Sequence, residues 1–240
     1  MEGGGTFTPR GVRRGVRRSL VIALGLAPFG MVVGVLAAGK GLSALETALM
    51  SGLVFAGASQ ILALELWAHP PPLLSIAFAT FAVNLRMALM GPVLSGLLAG
   101  IRGWRLWGSL FLLVDHGFAI AVTESRRGER DGGLLFGVGA TLWVFWLVSS
   151  LAGFWLGALL DLRRDHPLFF AAPAAFISLL VPLWRGRRDA LPWLIAATVA
   201  VPLARLLPRG AWHVVAGAVI AAAWGATSDW HREERAESGR

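Results

Sequence analysis

Long apolar runs alternate with short polar connections along the whole chain. The runs cover about 19–39, 43–68, 73–100, 104–122, 134–160, 168–184, 191–207 and 211–227, eight in all. A helix that crosses a bilayer needs roughly 20 mostly apolar residues. The pattern therefore predicts an all-α, polytopic integral membrane protein with seven to eight transmembrane helices. The sixth and seventh runs are near the lower length limit and carry Pro173, Pro182 and Pro202, so a broken, tilted or re-entrant segment is expected there. A further break is expected in the first run at Pro28 and Gly30, where proline frees a backbone carbonyl and Gly34 thins the helix. The domain reading is a basic cytoplasmic tail over 1–18, one transmembrane domain over 19–228 and a polar C-terminal tail over 229–240. A basic segment before an apolar run also fits a cleaved signal peptide. The length of 19–39 and the runs that follow favour a helix that stays.

Composition agrees with the pattern and removes several chemistries. Of 240 residues 56% are hydrophobic and 15% charged, with mean hydropathy +0.65, too few polar side chains to coat a soluble globule. The absence of cysteine excludes disulfides, Cys-ligated zinc, thiol catalysis and Cys-bound iron-sulfur clusters. No Gly-x-x-x-x-Gly-Lys-Ser/Thr phosphate loop occurs, so energy for any transport must come from a gradient or a partner. Neither a metal nor a cofactor is expected.

The net charge of +8 comes from 22 basic residues, all arginine except Lys40. They sit mostly in tails and connections and read as topology signals and contacts to anionic headgroups, not as a nucleic-acid footprint. With eight crossings and the N-terminus inside, the tails and even-numbered loops hold fourteen basic residues and the odd loops seven. That bias points to a multi-pass protein of the cell's inner, or plasma, membrane with both termini cytoplasmic. Trp67, Trp104, Trp107, Trp184 and Trp193 fall at run ends, as an aromatic belt would place them.

Polar residues inside the runs carry whatever chemistry the chain has. Arg86 lies fourteen residues past Pro72 and fourteen before Gly100, near mid-membrane. A guanidinium there costs about 2.5–3.5 kcal/mol or more, so it should face protein or water. Asn84 precedes it in Asn84-Leu85-Arg86. Gly57-Ala58-Ser59-Gln60 occupies the second run, where small residues allow close backbone approach and Ser59 and Gln60 can bond across helices. Asp115 and His116 lie inside the fourth run, either as structural partners of Arg86 or as a substrate-ammonium and proton-coupling pair. A zwitterionic aliphatic amino acid would need such a set. Arg86, or a broken-helix N-terminus near Gly57, would take its carboxylate, and Asp115 or the carbonyls freed at Pro28 its ammonium.

A weak repeat adds to this picture. Ala79–Leu85 and Ala197–Leu203 share five of seven residues, Phe55-Ala56-Gly57 matches Phe170-Ala171-Ala172, and Gly30-x-x-x-Gly34 has a counterpart in Gly153-x-x-x-Gly157. The order of the matches is that of a duplication of helices 1–4 as 5–8, the kind of plan on which secondary transporters are often built.

Ala27-Pro28-Phe29-Gly30 with Gly34, then Phe55-Ala56-Gly57-Ala58-Ser59-Gln60, then Asn84-Leu85-Arg86, resemble the pattern of the AzlC family of branched-chain amino acid permeases over about residues 19–224. The resemblance implies a secondary exporter of leucine, isoleucine and valine that works with a small, separately encoded AzlD-type membrane subunit. It implies substrate binding by Gly57, Ser59, Gln60, Asn84, Arg86 and Asp115, and coupling by Asp115 and His116. Asp115 matches a position where an Asp-Glu pair is usual in that family, with His116 as the second residue here, and Met87 and Met90 stand where His and Tyr often follow the Asn-Leu-Arg. Two other classes stay open: a channel or non-transporting subunit, and an intramembrane serine hydrolase of rhomboid type using Ser59 and His116.

Overall fold

The computed structural model describes residues 5–128, 130–160, 190–206 and positions 216, 217, 220 and 224. Every named element among them is helical, with one isolated β-bridge between Thr6 and Asp131. The sixth predicted run lies outside the described residues, as do Phe170-Ala171-Ala172 and most of the eighth run.

Helix α1 is Pro9–Gly39, so the arginine cluster expected as a tail is wound into the helix that enters the apolar run. Proline at the first position fits because its missing N–H would have had no partner there. Thr8 caps the helix by accepting from the Gly11 N–H at 3.0 Å. Asp131 in turn accepts from the Thr8 N–H at 3.0 Å, from the Thr8 hydroxyl, and from the Gly133 N–H at 2.9 Å. That one carboxylate pins the start of α1 to the start of α8, Gly133–Leu160.

The expected break at Pro28 and Gly30 does not occur, because α1 runs through both residues as one helix. An interior proline removes one backbone hydrogen bond, and packing along α8 holds the axis regardless. The glycines serve that packing. A Cβ on Gly34 would overlap Ser150 and Phe154 backbone atoms, one on Gly153 would overlap Met31, and one on Gly157 would lie 3.1 Å from the Val35 Cα. Backbones so close gain dispersion contacts that lipid cannot supply. Gly30-x-x-x-Gly34 and Gly153-x-x-x-Gly157, which read as copies in a repeat, are thus the two mating sides of one seam. Contacts run in step from Gly15 beside Leu134 to Val35 beside Gly157, so α1 and α8 are parallel.

Between them the second run does not continue to the far end. It forms α2 (Ala44–Leu49), a π-helical turn (Met50–Val54), and α3 (Gly57–Glu65). A capping box between Ser43 and Glu46 starts α2. The chain reverses at Phe55-Ala56: Gln60 reaches back to Ser51, and the Lys40 ammonium at the end of α1 donates to the Glu65 carbonyl at 3.3 Å. The segment leaves the C-terminal end of α1 and returns to it.

Helix α4, Leu73–Val93, then leads to the short α5, Ser95–Leu98, and to the N-terminal end of α1, where Gly5 donates to the Ala99 carbonyl and Ile101 packs on Gly132. The fourth run also turns back. Helices α6 (Trp104–Phe111) and α7 (Asp115–Arg126) meet at 120° across Leu112–Val114. The Leu112 carbonyl lies against Gly139, and the chain is back beside Thr6 by Arg130. No glycine or proline makes this turn. Leu112 and Leu113 are buried, and β-branched Val114 takes the extended backbone that ends it, φ −137° and ψ 165°.

Two predicted crossings are therefore hairpins, one from each end of the α1–α8 pair. Among the described residues α1, α4 and α8 are each long and apolar enough to cross a membrane. The chain divides into two compact units. Residues up to Glu65 and from Val83 to 160 belong to one; Leu66–Ala82 and α9, Ala190–Leu206, belong to the other, where Gly217 packs on Ala196.

Candidate functional site

The tips of the two hairpins and the second half of α4 enclose a cavity of about 340 Å3 in the first unit. Val54, Phe55 and Ala56 come from the first tip, Leu110, Phe111 and Leu113 from the second, and Asn84, Met87 and Gly91 from α4. Its volume is in the range of small-molecule sites, and its walls are apolar except for Asn84 and exposed backbone ends.

The first tip is under strain and heavily buttressed. Phe55 has φ 43° and ψ 45°, the left-handed region, which costs a non-glycine residue about 1–2 kcal/mol. Gln60, 1% exposed, holds the reversal closed: its amide N–H donates to the Ser51 hydroxyl at 3.1 Å and its carbonyl accepts from the Trp146 indole at 2.9 Å. Trp143 donates to the Gly52 carbonyl at 2.9 Å, satisfying an acceptor in the π-helical turn. Gly57 leaves room for rings. A Cβ there would sit 2.7 Å from the Trp146 indole and 3.0 Å from Phe29, which stack edge-on with centroids 5.4 Å apart. Ser59, fully buried, donates to the Asn84 side-chain carbonyl at 2.9 Å and so ties α3 to α4 at the cavity wall.

At this tip the N-terminus of α3 follows the end of the π-helical turn by only Phe55 and Ala56, which brings the first N–H groups of one close to the last carbonyls of the other. The former carry partial positive charge and the latter partial negative, and neither set has all its partners within its own helix.

The predicted residues thus separate into groups. Asn84 lines the cavity, with Ser59 bonded to it. Gly57 and Gln60 lie directly behind the tip and shape it. Arg86 lies on α4 two residues beyond Asn84, and its side chain is outside the described residues. Asp115 and His116 begin α7, just past the second tip, half-buried and not among the lining residues. Pro28 and Gly30 belong to the α1 seam. Sequence reasoning did not reach Ser51, Trp143 and Trp146, which carry no local signal, nor the turn at Leu112–Val114. The clue for Phe55 was present in the small residues that follow it.

The profile of the family described as AzlC protein matches residues 21–160, more than half of the chain, from α1 through α8. The chain is similar to an uncharacterized membrane protein of Archaeoglobus fulgidus, 33% identical over 177 residues that make up 73% of this chain and 77% of the relative. It is similar to the inner membrane protein YgaZ of Escherichia coli, 28% identical over 185 residues, 73% of this chain and 74% of that one. An uncharacterized membrane protein of Helicobacter pylori is 25% identical over 188 residues, 78% of this chain and 82% of the relative. No solved structure matches. The matched stretch holds both hairpins and every residue of the cavity wall, and the chain is a membrane protein of the AzlC family.

Proposed function

We propose that the chain is the large subunit of a secondary exporter of branched-chain or similar aliphatic amino acids, with the cavity between the hairpin tips as its substrate site. The observation that carries this reading is the convergence of two helix reversals and Asn84 on one cavity of about 340 Å3. A zwitterion needs partners of both signs a few ångströms apart. The α3 N-terminus supplies donors for the carboxylate and the end of the π-helical turn supplies acceptors for the ammonium, as broken helices do in other transporters. The aliphatic side chain packs among Val54, Met87, Leu110, Phe111 and Leu113. Arg86 adds a positive charge on the cavity's own helix, and Asp115 and His116 act in coupling beside the second tip. Leucine and valine differ there by one methylene, about 1–3 kcal/mol of discrimination.

The hairpins also revise the orientation argument. Among the described side chains of the first unit, sorted by the end of the α1–α8 pair at which they lie, Arg10, Arg13, Arg14, Arg17, Arg18, Arg102, Arg105, Arg126, Arg127 and Arg130 share the N-terminal end, and Lys40 stands at the other. This asymmetry supports an N-terminus on the cytoplasmic side. A small AzlD-type membrane subunit completes the exporter. A hydrolase is disfavoured by Ser59, whose hydroxyl proton goes to Asn84.

The test is efflux of radiolabelled leucine, isoleucine, valine and methionine from loaded cells, with and without the small subunit and with a protonophore. Saturable efflux that requires the partner and collapses with the proton gradient is expected. Absence of efflux with both proteins in the membrane contradicts the substrate assignment, and an unsaturable leak through the chain alone points to a channel.

A further inference from the structure

At the N-terminal end of α1 a second cavity, of about 520 Å3, lies between α1 and α6, far from the hairpin tips in composition and chemistry. Its floor is apolar, formed by Phe7, Pro9, Val12, Val16 and Trp104, and two guanidinium groups, Arg13 and Arg105, stand at its walls. Among the described residues no carboxylate pairs with either. The nearby acid Glu124 is engaged by Arg127 at 3.1 Å and Arg18 at 3.7 Å, and Asp131 is committed to the start of α1 and α8. Arg105 is held in place by stacking, 5.2 Å from the Phe7 ring centroid and 5.9 Å from that of Trp104. Trp104 itself packs edge-on against Phe7 and Phe136 yet stays 66% exposed.

The level of this groove is set by α1. Arg13 precedes Ser19, where the apolar run begins, by a rise of about 9 Å at 1.5 Å per residue, which is headgroup depth. An apolar trough that opens at that depth, flanked by an indole and by two cations that have no counter-ion among the described residues, matches one occupant in both halves. We infer that the groove binds an anionic phospholipid of the cytoplasmic leaflet, its phosphate between Arg13 and Arg105 and an acyl chain along Phe7, Val12, Val16 and Trp104. The charge favours an anionic over a zwitterionic lipid, and the apolar floor favours a lipid over a free phosphate. The inference requires membrane insertion with this end cytoplasmic, and it does not depend on which solute the other cavity takes.

The full chain, purified in mild detergent, is titrated by native mass spectrometry with dioleoyl phosphatidylglycerol, with dioleoyl phosphatidylcholine and with inorganic phosphate. Two basic groups at headgroup depth are expected to favour the anionic lipid by roughly thirtyfold. Arg13→Gln with Arg105→Gln should abolish that preference, Arg13→Lys with Arg105→Lys should retain most of it, and Arg126→Gln, away from the groove, should leave it unchanged. Val16→Trp keeps both charges and fills the trough, and should release the lipid; it carries the test if the double glutamine variant does not fold. Equal affinity for the two lipids, a preference that survives both the charge and the filling variants, or displacement of the lipid by an equal concentration of inorganic phosphate would each overturn the assignment.

Discussion

Gln60 does at one position what a pair of prolines or glycines often does in a broken membrane helix: it fixes where the chain turns. Its amide satisfies Ser51 on the descending arm and Trp146 on α8, so replacing it with an isosteric apolar residue strands a buried hydroxyl and a buried indole N–H. Each such group costs about 1–3 kcal/mol. Gln60→Leu should therefore lower the thermal unfolding midpoint in detergent far more than Gln60→Glu, which keeps an acceptor for Trp146; equal effects would show that the clamp does not set stability. The Ser59–Asn84 bond is testable by a double-mutant cycle, where Ser59→Ala and Asn84→Ala should couple by about 1 kcal/mol. Additive losses would mean that the two residues act apart. For Arg86 the expectation is that Arg86→Lys inserts normally but transports poorly, because a point charge replaces a bidentate fork. Near-normal efflux by that variant would remove Arg86 from the substrate site.

Hydropathy made the helices legible at the level of elements but not their direction. Residues 43–68 and 104–122 are apolar enough to read as crossings, and both turn back because tertiary contacts decide the path. The first reversal rests on Gln60, Trp143 and Trp146, which come together only when α8 is packed; the second rests on burial of Leu112 and Leu113, which no local rule announces. The small residues Ala56-Gly57-Ala58 were a usable sign of the first. Pro28 was a misleading one, since the helix around it is held by the glycine seam. In the cysteine-free chain, single cysteines at Leu45 and Glu65 should react with an impermeant maleimide from the outside of intact cells, and cysteines at Arg102 and Arg127 only after permeabilisation. Opposite sidedness within either pair would mean that the segment crosses.

At the scale of the whole molecule, α1 followed by a hairpin from one end, then α4 followed by a hairpin from the other, is the same order of parts run in opposite senses. One pair of motifs matched in the expected duplication, Gly30–Gly34 and Gly153–Gly157, is mated in a single interface. Gly153→Leu should therefore abolish α1–α8 pairing and the folded protein with it, whereas Gly25→Leu, where an added Cβ meets nothing within 4 Å, should be tolerated. Comparable yields of folded protein from the two variants would contradict the seam. Both tips are thus set against the closely packed α1–α8 pair, with the cavity where they meet. The most direct measurement on that cavity is alkylation of Asn84→Cys, the sole thiol in the chain, in reconstituted protein with rising leucine concentration. Saturable slowing of the reaction by leucine, with Leu45→Cys unaffected, is the predicted result; a rate at Asn84→Cys that no aliphatic amino acid changes would contradict the placement of the substrate site.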